Sequence, residues 1–190
     1  CVSESQLVVQ ASIKDEFIAR LKEKAEAIVI GAPNDMKTEV GPLCTKRQRD
    51  TAVRLINRSV EQGAKLVTGG HAIDGDGYYF PPTILDCDGA PDADSLSNEF
   101  FGPVLSVVSF KTEAEAIAIA NTTQFGLASG LFTQNLTRAH RMIRAIRAGI
   151  VWVNTYRVVS PIAPFGGHGL SGHGREGGIE AALDYTKIKS

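Results

Sequence analysis

The chain has 190 residues, 43% hydrophobic and 22% charged, a composition suited to a globular protein with a well-filled core. Twenty basic against twenty-one acidic residues leave a formal net charge of -1, which argues against nucleic acid as a partner. No apolar run approaches the roughly 18 residues of a membrane span, and three scattered cysteines suggest a reducing, cytoplasmic setting rather than a disulfide framework.

Gln6–Gln10 (QLVVQ) reads as a short buried strand. Helical spacing follows from Ile13 to Ile28, with Ile13, Phe17, Leu21 and Ile28 recurring on one face and Ser12 as the expected N-cap. Asp15 and Glu16 suit the positive end of that helix dipole. A second helix is expected from about Thr45, with Val53, Ile56 and Val60 on its apolar face and Gly63 at its end. Lys65–Thr68 reads as a strand closed by the Gly69-Gly70 turn. Tyr78–Leu85 carries a Pro pair and is expected at a sheet edge or as an irregular strand. The acidic, turn-rich stretch Asp86–Asp94 is placed on the surface.

Val104–Phe110 is a further strand, followed by an Ala- and Glu-rich helix over Thr112–Asn121. Leu127–Phe132 and Ile150–Val153 are strands, separated by a basic amphipathic helix over Leu136–Ala148 that Gly149 ends. A glycine-rich loop, a helix near Gly178–Leu183 and a terminal strand over Thr186–Lys189 complete the chain. Strands alternating with helices predict an α/β fold, a mainly parallel twisted sheet with helices on both faces. The near-continuous apolar runs LVV, LSVVSF and IVWV agree with strands covered on both sides. A single domain over residues 1–190 accommodates all of these elements.

At Asn98-Glu99-Phe100-Phe101-Gly102-Pro103-Val104 the chain resembles the E-x-F-G-P-V motif of the NAD(P)-dependent aldehyde dehydrogenase superfamily. Asn121–Gly126 resembles that family's N-x-x-x-[YF]-G-L segment, and Gly149–Asn154 its strand ending in Asn. Pro164-Phe165-Gly166-Gly167, Ser171-Gly172 and Gly174-Arg175-Glu176 resemble its P-F-G-G…S-G…G-R-E loop. These matches occur in family order along the whole chain. Ile13–Phe17 also resembles the helix start that follows the family's catalytic cysteine, which puts Cys1 at the nucleophile's position. The resemblance thus implies the cysteine-bearing catalytic domain, beginning at its nucleophile, with the N-terminal nucleotide-binding domain outside these residues.

What the resemblance implies chemically is oxidation of a small aldehyde by NAD or NADP through a cysteine thioester. Cys1 would attack the carbonyl carbon, and Glu99 would accept hydrogen bonds from the nicotinamide-side ribose. Phe101 would pack beside the nicotinamide, with Gln48 as a further cofactor contact. Tyr156, Val159 and Phe165 would line the substrate tunnel, while Asn154 and Gly166, Gly167, Gly172 and Gly174 are read as structural. His71, His140, His168 and His173 lack metal-site spacing, and Cys44 and Cys87 have no near partner in sequence, so no metal is expected.

The family's general base, a Glu in an E-[LF]-G-G-[KN] segment, does not occur in these residues. Residues 1–190 alone are therefore expected to give no NAD-linked turnover. The resemblance further implies association with the missing domain and assembly into dimers or tetramers, and it leaves open thioester hydrolysis or transfer to coenzyme A. Two other readings stand beside it: an amidase using Cys1 as an N-terminal nucleophile, and a non-catalytic folded or oligomerisation module.

Overall fold

The computed structural model describes residues 2–3 and 5–189. The chain divides into two compact units, Glu4–Ala116 and Ile117–Ser190 with Cys1–Ser3. In the first, strands β1 (Gln6–Gln10), β2 (Lys65–Thr68), β3 (Thr83–Asp86) and β4 (Val104–Phe110) form one sheet in the order β1-β4-β3-β2. β4 runs parallel to both β1 and β3, whereas β2 joins β3 antiparallel with an irregularity between Leu66 and Thr68.

Alternation along the strands sends successive side chains into two different layers. On one side Leu85 and Val104 pack with Ala52, Leu55 and Ile56 of α2 (Lys46–Glu61) and with Phe80 and Phe100. On the other, Val9, Ile84 and Val107 pack with Ile18, Leu21 and Ala25 of α1 (Lys14–Glu26). The expected arrangement, a predominantly parallel sheet with a helix on each face, is thus present in this unit. Ile56, Phe80 and Leu85 are fully buried, each stabilising the fold by about 1.5–3 kcal/mol through lost apolar surface.

A serine cluster runs through the first layer. Ser59 Oγ donates to the Leu55 carbonyl (2.8 Å) and accepts from the Ser95 N–H (2.9 Å). Ser106 Oγ donates to the Ser95 carbonyl at 3.1 Å. These bonds tie α2, the short helix α3 (Asp94–Ser97) and β4 together, and each of the three serine hydroxyls is paired.

The second unit contains a βαβ element. β5 (Ala128–Leu131) and β6 (Ile150–Val153) pair in parallel, linked by α5 (Leu136–Ala145). α4 (Glu113–Ala120) spans the division between the units, and α6 (Ala181–Asp184) is a single turn near the C-terminus. Leu131, Ala139 and Ile146 form the buried cluster. Asn135 caps the start of α5, its Oδ1 accepting from the Arg138 N–H at 2.8 Å. Asn121 closes the other end: Nδ2 donates to the Ala145 carbonyl (2.9 Å), and Oδ1 accepts from the Arg147 N–H (2.8 Å). This is the physical role of the Asn that opens the N-x-x-x-[YF]-G-L segment.

Several expectations are corrected. Ser12 lies in a 3-10 turn over Ala11–Ile13, and α1 starts after Ile13 with no side-chain cap. That turn rotates the start of the helix, so Ile13 and Phe17 are exposed while Ile18, Leu21 and Ala25 face the sheet. Val60 is also exposed, and Ala52, Leu55, Ile56 and Ser59 form the buried stripe of α2. β3 is internal rather than an edge strand, because Pro81 and Pro82 precede it and cost it no ladder bond. Between Asp86 and Asp94 the acidic residues mask an inward stripe: Cys87, Ala90 and Ala93 are buried. Thr186–Lys189 forms no strand, and these residues are exposed. No helix among the described residues is long and apolar enough to cross a membrane.

Candidate active site

In the first unit, Gln48 and the Glu99–Phe101 turn come together. Thr45 caps α2, its Oγ1 accepting from the Gln48 N–H at 3.2 Å. Gln48 reaches back, its Oε1 accepting at 3.2 Å from the N–H of Cys44, one residue before the Thr45 N–H that a capping box would engage. The same carboxamide donates from Nε2 to the Phe101 carbonyl. Gln48 therefore holds the turn in place, and one amide N–H remains for another acceptor.

Phe100 and Phe101 are adjacent but face different surroundings. Phe100 is buried in the α2 layer, whereas Phe101 is 58% exposed. The reversal follows from Phe101's φ of 51°, a left-handed conformation that is costly for a residue with a bulky side chain. Gly102 and Pro103 then lead into β4, with the Pro103 carbonyl accepting from the Thr83 N–H at 2.8 Å. Glu99 is exposed and its carboxylate has no hydrogen-bond or ion-pair partner among the described residues.

The second unit holds Tyr156, Val159 and Phe165. Tyr156 is half-buried against Trp152, with ring centroids 4.6 Å apart and planes tilted by 59°. A Cβ at Gly130 would lie 2.6 Å from Tyr156 Cδ2, so the missing side chain makes room for that ring. Trp152 Nε1 donates to the Val158 carbonyl at 2.6 Å, which pins the loop while Val159 stays exposed. Phe165 is half-buried and pairs its backbone with Glu176 through bonds of 2.6 and 2.7 Å.

Asn154 has the structural part expected of it: Oδ1 accepts from the Thr133 N–H (2.8 Å) and Nδ2 donates to the Thr133 carbonyl (2.9 Å). At Gly149 an added Cβ would stand 1.6 Å from the Gly166 carbonyl oxygen, so two backbone segments touch there. Arg175 braces the same loop, its Nη1 donating to the Gly167 carbonyl at 2.8 Å. A Cβ at Gly174 would meet nothing within 4 Å, so its own lack of a side chain makes no such room.

Cys1 lies outside the described residues. Of the other thiols, Cys44 is exposed and Cys87 buried. Burial pushes the Cys87 thiol up, outweighing hydrogen bonds from Ser95 and Ser106, so it is a poor nucleophile. No group of three or more His, Cys, Asp or Glu side chains among the described residues is arranged to hold a metal ion. Sequence reasoning missed the bonds from Gln48 to Cys44 and Phe101; the T-x-x-Q spacing at Thr45–Gln48 was the available signal for the first of them.

Comparison with known proteins agrees along the whole chain. It is 66% identical over 190 residues to the (Z)-2-((N-methylformamido)methylene)-5-hydroxybutyrolactone dehydrogenase of Acinetobacter baylyi, covering all of this chain and 39% of that protein. It is 45% identical over 193 aligned positions to the betaine aldehyde dehydrogenase of Sinorhizobium fredii, again covering 39% of the relative. The crystal structure of PnpE in complex with nicotinamide adenine dinucleotide superposes with a TM-score of 0.93 at 45% identity, over 98% of this chain and 39% of that one. An NAD+ complex of an aldehyde dehydrogenase from Bacillus cereus superposes with a TM-score of 0.92 at 34% identity, over 97% and 38% of the two chains. The chain therefore spans about two fifths of the length of these relatives. The family model for aldehyde dehydrogenases matches residues 1–190 without a gap at either end, and with the Glu99–Phe101 turn, the Asn154 clasp and the close approach at Gly149 it places the chain in the aldehyde dehydrogenase family.

Proposed function

We propose that residues 1–190 are the cysteine-bearing catalytic domain of a cytoplasmic enzyme that oxidises an aldehyde to a carboxylate with NAD. The observation that carries this reading is the exposed, unpaired Glu99 carboxylate beside an outward-turned Phe101. A carboxylate suits two vicinal ribose hydroxyls because it only accepts hydrogen bonds, and an exposed ring suits the face of a nicotinamide. These residues fit the cofactor, and the NAD complexes of PnpE and of the Bacillus cereus enzyme support NAD as the acceptor.

In the proposed reaction the Cys1 thiolate adds to the aldehyde carbon, and the carbonyl π pair moves to oxygen. Collapse of that oxyanion re-forms the C=O bond and expels the aldehyde hydrogen with its electron pair, leaving a thioester. A bound nicotinamide would supply the acceptor for that hydride, the hydrogen together with its pair. Water then adds to the thioester carbon and the S–C bond breaks with its pair going to sulfur, returning the thiol and giving the carboxylic acid, which releases a proton to become the carboxylate. Gln48 and Glu99 bind and orient, Phe101 excludes water, and Tyr156, Val159 and Phe165 line the approach of the substrate.

The substrate class we propose is supported by the relative at 66% identity, named for a 5-hydroxybutyrolactone. Such a lactone is the closed form of a 4-oxo carboxylate. Loss of the hydroxyl proton, formation of C=O and cleavage of the ring C–O bond, with its pair going to the carboxylate, opens it without oxidation. We infer that this chain acts on aldehydes of this size. The rest of the enzyme would supply the general base and most of the nucleotide site. Ile179, Leu183, Tyr185 and Ile188, which are 71–103% exposed, support a covering subunit in a homo-oligomer.

The test uses the full-length protein carrying this chain, with 4-oxobutanoate and NAD. NADH and succinate are expected in equal amounts, and Cys1→Ser is expected to abolish both. NADH formation undiminished by Cys1→Ser would remove the nucleophile from the proposal. Ammonia release from amides that is lost in Cys1→Ala, without NADH formation, would instead favour an amidase.

A further inference from the structure

Arg157 has no part in the chemistry above, and the fold gains nothing visible from it. Its side chain is exposed and makes no hydrogen bond or ion pair among the described residues. Its backbone has φ 64°, a left-handed conformation in which Gly or Asn would be less strained than Arg. It is also the only Lys, Arg, Asp or Glu between Arg147 and Arg175. A permanent, unpaired positive charge is therefore held at one point of an otherwise uncharged loop.

The surrounding contacts decide where that charge is offered. Tyr156 is turned inward onto Trp152 and the space at Gly130, and the Val158 carbonyl is fixed by Trp152 Nε1. Arg157 is then the one residue with a charged side chain along the exposed stretch 157–164, which follows Tyr156 and leads to Phe165. A guanidinium in this setting matches a carboxylate by two parallel N–H···O bonds and disfavours a cationic substrate.

We propose that Arg157 is a specificity-determining residue that binds the carboxylate of an oxo-acid substrate and selects against quaternary-ammonium aldehydes. The inference rests on the proposed aldehyde oxidation and adds to it the group that recognises the far end of the substrate. Relatives at 42–45% identity are betaine aldehyde dehydrogenases, named for a cationic aldehyde, whereas the relative at 66% identity is named for a lactone whose ring-opened form bears a carboxylate. Arg157 commits this chain to the anion.

The experiment compares kcat/KM of the full-length protein for 4-oxobutanoate, the uncharged butanal and betaine aldehyde. Arg157→Asn keeps a residue tolerant of left-handed backbone, and Arg157→Lys keeps the charge. The ratio of 4-oxobutanoate to butanal is expected to fall about 10- to 100-fold in Arg157→Asn, the range for losing hydrogen bonds to a charged group. The ratio of betaine aldehyde to butanal is expected to rise, and Arg157→Lys to retain part of the preference. Equal losses on all three aldehydes, or unmoved ratios, would overturn the inference while leaving aldehyde oxidation intact. An unsubstituted protein inactive on all three would overturn the proposed function, and this inference with it.

Discussion

The two units are held together by different means. In Glu4–Ala116 a four-stranded sheet lies between two helices, and large apolar side chains such as Ile56, Phe80 and Leu85 are fully buried. In Ile117–Ser190 the buried cluster is Leu131, Ala139 and Ile146, and much of the remaining order comes from hydrogen bonds between side chains and backbone. Asn121, Asn154, Trp152 and Arg175 each fix a loop or helix end in this way. An apolar layer tolerates exchange among side chains of similar volume. A backbone contact without intervening side chains does not. The region carrying Tyr156, Val159 and Phe165 is thus shaped by where side chains are absent as much as by those present.

The sharpest way to break this contrast is Gly149→Ala. Its new methyl would meet the Gly166 carbonyl at 1.6 Å, backbone against backbone, with no rotamer to relieve it. A loss above about 4 kcal/mol is expected, read as collapse of hydrogen-exchange protection across β5 and β6. Unchanged protection there would show that the loop can move aside cheaply. Phe80→Ala addresses the layered unit, where a fully buried ring is replaced by a cavity. About 3–5 kcal/mol is expected in chemical denaturation, with smaller losses for aliphatic replacements; an equal loss for Phe80→Leu would deny the layer its tolerance.

The smallest effect concerns charge. Lys14 Nζ lies 2.8 Å from Asp86 and 2.5 Å from Asp88, and Asp88 also accepts from the Ser109 N–H and Oγ at 2.6 and 2.7 Å. Burial opposes ionisation of Asp88, but these bonds outweigh it and hold the carboxyl below its ordinary value. Burial likewise opposes charging of Lys14, and the two carboxylates outweigh it and raise its pKa above 10.5. The network's stabilisation is therefore lost as pH falls through the lowered Asp88 value, and lost again as pH rises through the raised Lys14 value. Lys14→Met is expected to cost about 1 kcal/mol at neutral pH, and the cost is expected to fade in acid. A difference in urea midpoint that persists below the Asp88 transition would assign the effect to packing of the lysine stem.

Much of this architecture was legible because buried strands write continuous apolar runs. β1, β4 and β6 begin and end where QLVVQ, VLSVVSF and IVWV do. Failures came where local composition and tertiary position disagree. Pro81-Pro82 suggested an edge, yet both stand just before an internal strand. The aspartates of Asp86–Asp94 hid Cys87, Ala90 and Ala93, whose burial depends on α2 and not on their neighbours. Thr186–Lys189 has strand-like residues but no strand beside it among the described residues. At the candidate site, Glu99 and Phe101 were singled out by the motif resemblance of the turn before β4, not by composition or periodicity. The left-handed backbone that separates Phe101 from Phe100 was not legible, because nothing in two consecutive phenylalanines says which is the anchor.

That separation has a consequence for how such a protein can diverge. With one ring sealed into the interior and its neighbour facing outward across a single backbone reversal, the two positions answer to different demands. Descendants can exchange the outer ring to suit a new ligand while inheriting the inner one as a fixed peg, so innovation at the surface need not unsettle the scaffold beneath it.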